Sequence, residues 1–137
     1  MCYKAQTTLS CTTPSVARAR RWASAELPAM YRQAGEVTPD IQVVVSELVT
    51  NAVRAKCRHL TLALEGHHRY VRVAATDDAP GTPVKQTPAP DQTHGRGLSV
   101  VDALSSRWGV DRAGGDKTVW ADVSITAGLE PTFACAT

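Results

Sequence analysis

The sequence predicts an α+β fold, a two-layer sandwich in which about three helices cover one face of a mostly antiparallel mixed sheet. Three observations lead there. Two stretches with helical apolar spacing each open on a Thr-Pro pair, two pairs of alternating segments read as hairpins, and the elements follow in the order helix, helix, hairpin, loop, helix, hairpin. With 137 residues, 43% of them apolar and 20% charged, the chain has the size and composition of one globular domain. The expected core spans about residues 14–126, followed by a tail over 127–137 with no clear pattern.

Each element has its own warrant. Residues 3–9 can form a short strand. "CTTPSVARARRWASAEL" offers Thr13 as a cap and Pro14 at the first helical position, with Val16, Ala19, Ala23 and Leu27 on one face. Pro28 should kink or end this helix, and Gly35 is a natural stop. "TPDIQVVVSELVTNAVRAK" repeats the logic with Thr38 as cap and Pro39 next, then Ile41, Val44, Val45, Leu48, Ala52 and Ala55 at helical spacing, which outvotes the strand tendency of the three valines. "HLTLALE" and "RYVRVAAT" alternate on either side of "GHH" and form a hairpin. Residues 77–95 hold four prolines and two glycines without apolar period, as a surface lid or a disordered segment does. "RGLSVVDALSSR" supplies a short amphipathic helix, and "WGVDRAGGDKTVWADVSIT" a closing hairpin about Gly114 and Gly115. Such a sheet leaves one face to be covered by solvent or a partner.

Composition excludes several classes. Fifteen basic against thirteen acidic side chains give a net charge of +2, too balanced to imply nucleic acid, and Arg18, Arg20 and Arg21 read as a solvated helix face. No apolar run reaches the roughly 18 residues that span a bilayer, and the first residues lack a secretory pattern, so the expected location is cytoplasmic, away from membranes. Cys2, Cys11, Cys57 and Cys135 are scattered without a C-x-x-C pair, and the expectation is four free thiols. Cys57 and His59 are close, with His67, His68 and His94 following, but their spacing matches no zinc pattern.

Four short stretches carry chemistry. In "SELVTNAV", Glu47 and Asn51 lie one helical turn apart, bordering the apolar stripe. A carboxylate there can act on a hydroxyl or water, and a carboxamide oxygen is a neutral hard ligand suited to magnesium when phosphates supply the rest. "YVRVAAT" ends in Asp77, followed by "DAPG", which places a carboxylate at a strand end beside Gly81. Such an aspartate can accept from an exocyclic amine. "HGRGLSVV" sets Gly95 and Gly97 before a helix, whose first N–H groups attract anions, although neither a dinucleotide fingerprint nor a P-loop is present. "GDKTVWADV" puts Thr118 on the last strand, within expected reach of Asp77.

In this order the four stretches resemble the boxes of the Bergerat-fold (GHKL) ATP-binding domains, above all the small anti-sigma-factor serine/threonine kinases and related bacterial regulators. "SELVTNAV" corresponds to the asparagine box, "DDAPG" to the first glycine box, "HGRGLSVV" to the second and "KTVWADV" to the terminal strand. The resemblance implies ATP and Mg2+ as cofactors, with Asn51 as the metal ligand and Glu47 as the general base. It further implies that Asp77 takes the adenine amine, that Gly81, Gly95, Arg96, Gly97 and Leu98 shape the nucleotide pocket, and that Thr118 supports Asp77. Ala79 stands where the first glycine box has a glycine, adding a methyl near the expected adenine. The implied partners are a sigma factor and an anti-sigma antagonist protein, with a homodimer as a further possibility. Two functions follow, a kinase that phosphorylates the antagonist, or a nucleotide-responsive binding module that transfers no phosphate.

Overall fold

The computed structural model describes residues 3–80, 97–125 and 129–134. The chain runs β1 (Tyr3–Leu9), α1 (Pro14–Met30), a 3-10 turn (Ala34–Glu36), α2 (Thr38–Arg54), β2 (Leu60–Gly66), β3 (Tyr70–Asp77), α3 (Gly97–Leu104), β4 (Arg107–Ala113) and β5 (Asp116–Ser124). The five strands form one sheet in the order β1-β2-β3-β5-β4. An α+β sandwich was expected, but the sheet is not mixed, since all four pairings are antiparallel. The connections explain this. Two antiparallel helices between β1 and β2 return the chain to the end it left, and β5 inserts between β3 and β4, which run the same way.

The core lies between this sheet and the helices. Leu60, Leu62 and Leu64 of β2, Val71, Val73 and Ala75 of β3, and Val119, Ala121 and Val123 of β5 occupy alternate positions and point inward. They meet Ala19, Ala23 and Leu27 of α1 and Ile41, Val44, Val45, Leu48, Val49 and Ala52 of α2, all buried. Each fully buried leucine or valine contributes about 1.5–3 kcal/mol relative to exposure. α2 is the central helix, contacting α1 on one flank and α3 as well. Its α1 flank is fixed by Arg20 Nη1 donating to Ser46 Oγ (3.2 Å) and Gln42 Nε2 donating to Ser24 Oγ (2.5 Å).

The helix starts differ from expectation. Thr13 makes no side-chain cap to α1, and Thr38 is the first residue of α2 rather than its cap. The Thr38 hydroxyl donates back to the Ala34 carbonyl (2.7 Å), tying α2 to the preceding turn, so it is not available to the first helical N–H groups. α1 ends at Met30, two residues beyond Pro28, where the Tyr31 N–H closes on the Leu27 carbonyl.

Two segments outside residues 14–126 join the core. β1 pairs along its whole length with β2. The stretch Leu129–Ala134 crosses the end of α1, with Tyr31 bridging Pro131, Arg32 N–H on the Glu130 carbonyl (2.9 Å) and Thr132 N–H on the Met30 carbonyl (2.8 Å). The Phe133 ring meets Tyr3 at a tilt and Tyr31 edge-on, and Leu129 is buried.

The cysteines also depart from expectation. Cys11, just after β1, forms a disulfide with Cys57, just before β2, with Cα atoms 5.6 Å apart. The two lie far apart in sequence, and only the pairing of Leu9 with Leu60 brings them together. Cys2 and Cys135 lie outside the described residues. No helix among the described residues is long and apolar enough to cross a membrane.

The outer face of the sheet carries a row of charges. Lys4, Glu65, Arg72, Asp122 and Arg107 stand side by side across the five strands, alternating in sign. Arg72 grips Asp122 with two hydrogen bonds (2.7 and 2.9 Å), Arg107 adds a third (2.7 Å), and Arg72 lies over the Trp120 ring (4.2 Å). Burial alone would raise the Asp122 carboxyl, but the hydrogen bonds from Arg72 and Arg107 outweigh it and hold the group below its ordinary range.

Candidate functional site

The site is built at the end of the sandwich where α2 finishes and β3 ends. Glu47 and Asn51 lie on α2 at about 240° and 280° from Ile41 at 100° per residue, beside the fully buried stripe. The amide nitrogen of Asn51 is buried and has no hydrogen-bond partner among the described residues. Such a group costs roughly 1–3 kcal/mol unless something satisfies it. Its nitrogen and oxygen exchange by a flip of the amide, so the same position serves either as a donor to a phosphate oxygen or as an oxygen ligand to a cation. Glu47 also borders a shallow groove over α1 and α2, lined with Arg20, Pro39, Gln42, Val43 and Ser46.

The turn after α2 brings Asp77 to the same end. Lys56 adopts a left-handed conformation (φ 62°) and closes the helix. The N–H groups of Arg58 and His59 then donate to Asp78 Oδ1 (2.7 and 3.0 Å). Those two bonds, from His59 first and then Arg58, hold the Asp78 carboxyl below its usual range. Leu60 next pairs with Asp77. Asn51 and Asp77 therefore lie at the same end of the sandwich.

Asp77 is almost fully buried and faces the helices. Its Oδ1 accepts the Ala79 N–H at 2.7 Å, which turns the chain sharply after β3. Ala79 itself is buried in the core cluster, so its methyl is part of the packing under Asp77.

Thr118 is not beside Asp77. Residue 77 pairs with Lys117 and residue 76 with Thr118. Successive side chains alternate faces, so Thr118 points to the outer face, where its hydroxyl bonds that of Thr76 at 2.7 Å. The inward neighbour is Lys117, whose Nζ lies 3.6 Å from Asp77 Oδ1, the two side chains being 5% and 2% exposed. The sequence does carry the signal for Lys117. Val119, Ala121 and Val123 set the inward parity of β5, and residue 117 belongs to it.

Among the expected pocket residues, Gly81, Gly95 and Arg96 lie outside the described residues. Gly97 is the first residue of α3, and the Leu98 side chain is buried in the core. What Leu98 can present to a ligand is its backbone N–H at the start of the helix. Chemically, this end of the fold combines an amide nitrogen without a partner among the described residues, a buried carboxylate with a lysine beside it, and a carboxylate one turn before the amide. That set suits a ligand with an amine at one end and phosphates with a cation at the other.

Comparison with known proteins identifies a family and a fold. The family described as the histidine kinase-like ATPase domain matches residues 9–123. The fold is similar to that in the crystal structure of the RsbU and RsbW domains of Rv1364c from Mycobacterium tuberculosis, at a TM-score of 0.61 and 21% identity. That similarity covers 89% of this chain and 32% of the other, so this chain spans about a third of its relative, and at that identity the likeness is one of fold. No curated protein gives a significant match.

Proposed function

Because the chain belongs to the histidine kinase-like ATPase family, we propose that it is an ATP-binding regulator that phosphorylates a serine or threonine of an anti-sigma antagonist protein and thereby controls a sigma factor. The observation that carries this reading is the buried Asn51 amide nitrogen, without a hydrogen-bond partner among the described residues, one turn from Glu47 and at the end of the sandwich where Asp77 terminates β3. The order of the sequence boxes and the likeness to a chain containing an RsbW domain support the choice of partner class.

In this reading Asp77 accepts the adenine amine, and the first N–H groups of α3 face the phosphates. Asn51 would hold Mg2+, whose charge, when bound, offsets that of the phosphates. Glu47 accepts the proton of the acceptor hydroxyl, and that oxygen takes the terminal phosphoryl group while ADP leaves with the bond electrons. The groove over α1 and α2 that Glu47 borders is open to solvent, which gives a protein hydroxyl a route to the carboxylate.

Glu47→Gln and Asn51→Ala separate this from a binding module that transfers no phosphate. We expect calorimetry with Mg-ATP to give heat for wild type and for Glu47→Gln, and Asn51→Ala to weaken binding by about 10-fold or more, the loss expected for one hydrogen bond to a charged group. Phosphoryl transfer to a candidate antagonist should fall about 10²- to 10⁴-fold in Glu47→Gln. Transfer that survives in Glu47→Gln removes the assigned base. An antagonist that binds only with ATP present and is never labelled supports the non-catalytic module.

A further inference from the structure

Lys117 occupies a position where the fold otherwise asks for an apolar side chain. It shares the inward face of β5 with Val119, Ala121 and Val123, and only 5% of its side chain is exposed. A buried ammonium needs its three donors met. Among the described residues it has one ion-pair partner, Asp77 Oδ1 at 3.6 Å, too long for a hydrogen bond, and that oxygen already accepts the Ala79 N–H at 2.7 Å. The amide nitrogen of Asn51, at the same end of the sandwich, likewise has no hydrogen-bond partner among the described residues. The two donors imply a ligand that brings acceptors.

On the reading of this end as the nucleotide site, which the inference requires, we propose that Lys117 is a specificity-determining residue that donates to a ring nitrogen of adenine beside the exocyclic amine held by Asp77. A carboxylate alone reads only the amine. Adenine places an acceptor ring nitrogen on either side of that amine, so a carboxylate with an adjacent ammonium reads donor and acceptor together. A base with carbon in place of that nitrogen leaves the ammonium buried and unmet, and a site built to bond a group rejects the analogue that lacks it. A lysine that only neutralises Asp77 would show no such rejection.

The test is calorimetry on the full chain with Mg2+ and three ligands, ATP, 1-deaza-ATP and 7-deaza-ATP, for wild type and Lys117→Met. Wild type should bind one of the two deaza analogues about 10- to 100-fold more weakly than ATP, as expected for a bond from a charged donor left unmade. Lys117→Met should bind ATP more weakly and lose the discrimination. Equal binding of all three ligands by wild type overturns the proposal and leaves the nucleotide site standing, and the wild-type series decides this even if the variant does not fold. Discrimination that persists in a folded Lys117→Met overturns it too. A folded wild type that binds none of the three overturns the nucleotide site and this inference together.

Discussion

Tyr31 shows how one side chain can tie three parts of the chain. Its ring is buried between the end of α1 and Phe133, while its hydroxyl donates to the His67 carbonyl (2.7 Å) and accepts from the His67 N–H (3.0 Å) at the β2–β3 turn. Burial pushes the phenol from 10.0 up to about 12, although the His67 N–H that donates to its oxygen favours the phenolate and pulls the other way. A raised value means the fold prefers the protonated form. The stability this lends is complete below the unfolded value near 10 and disappears as pH rises to about 12. Denaturant midpoints measured from pH 9 upward should therefore fall more steeply in wild type than in Tyr31→Phe across that window, by an excess of about 2–3 kcal/mol. At neutral pH the same substitution should cost about 1 kcal/mol for the lost hydroxyl bonds. Parallel curves for the two proteins would mean that the phenol does not titrate differently on folding.

At the scale of elements, the closure of α2 decides where the site residues sit. Lys56, not glycine, takes the left-handed position, and the Lys56 and Cys57 N–H groups return to the Val53 and Ala52 carbonyls. A side chain there is strained by its Cβ, so Lys56→Gly should raise stability by about 0.5–1 kcal/mol, read as a higher denaturation midpoint. No gain would show that the strain is relieved by contacts of the lysine. The outer ladder depends on a close approach instead. A Cβ on Gly109 would sit 2.7 Å from the Trp120 ring, which is the plate under the Arg72 guanidinium. β4 can lie flat against Trp120 only because residue 109 has no side chain.

For the molecule as a whole, the disulfide Cys11–Cys57 encloses both long helices in one loop, with 46 residues of sequence separation. The chain-entropy account assigns such a cross-link about 2–4 kcal/mol, by restricting the unfolded chain. The double variant Cys11→Ser/Cys57→Ser should accordingly unfold at lower denaturant, and wild type in reductant should match it. A midpoint that reductant leaves unchanged would mean that the cross-link adds nothing to stability. The cross-link also joins the start of β2 to β1 beside the turn that Asp78 organises, so its loss should be felt at the Asn51 end of the fold before the far edge at β4.

The sequence by itself determined the elements and their inward faces, because apolar period and turn residues act over a few residues along the chain. The helix over Thr38–Arg54, both hairpins and the short helix at Gly97 were legible for that reason, and the placing of Asn51 and Glu47 on one flank follows from spacing alone. Only the tertiary structure decided which strands became neighbours. From that came the all-antiparallel order, the pairing of Cys11 with Cys57, the docking of Leu129 and Phe133, and the exchange of Thr118 for Lys117 beside Asp77. Register turns a single residue of offset into a change of face, and contacts between distant segments leave no local pattern to read.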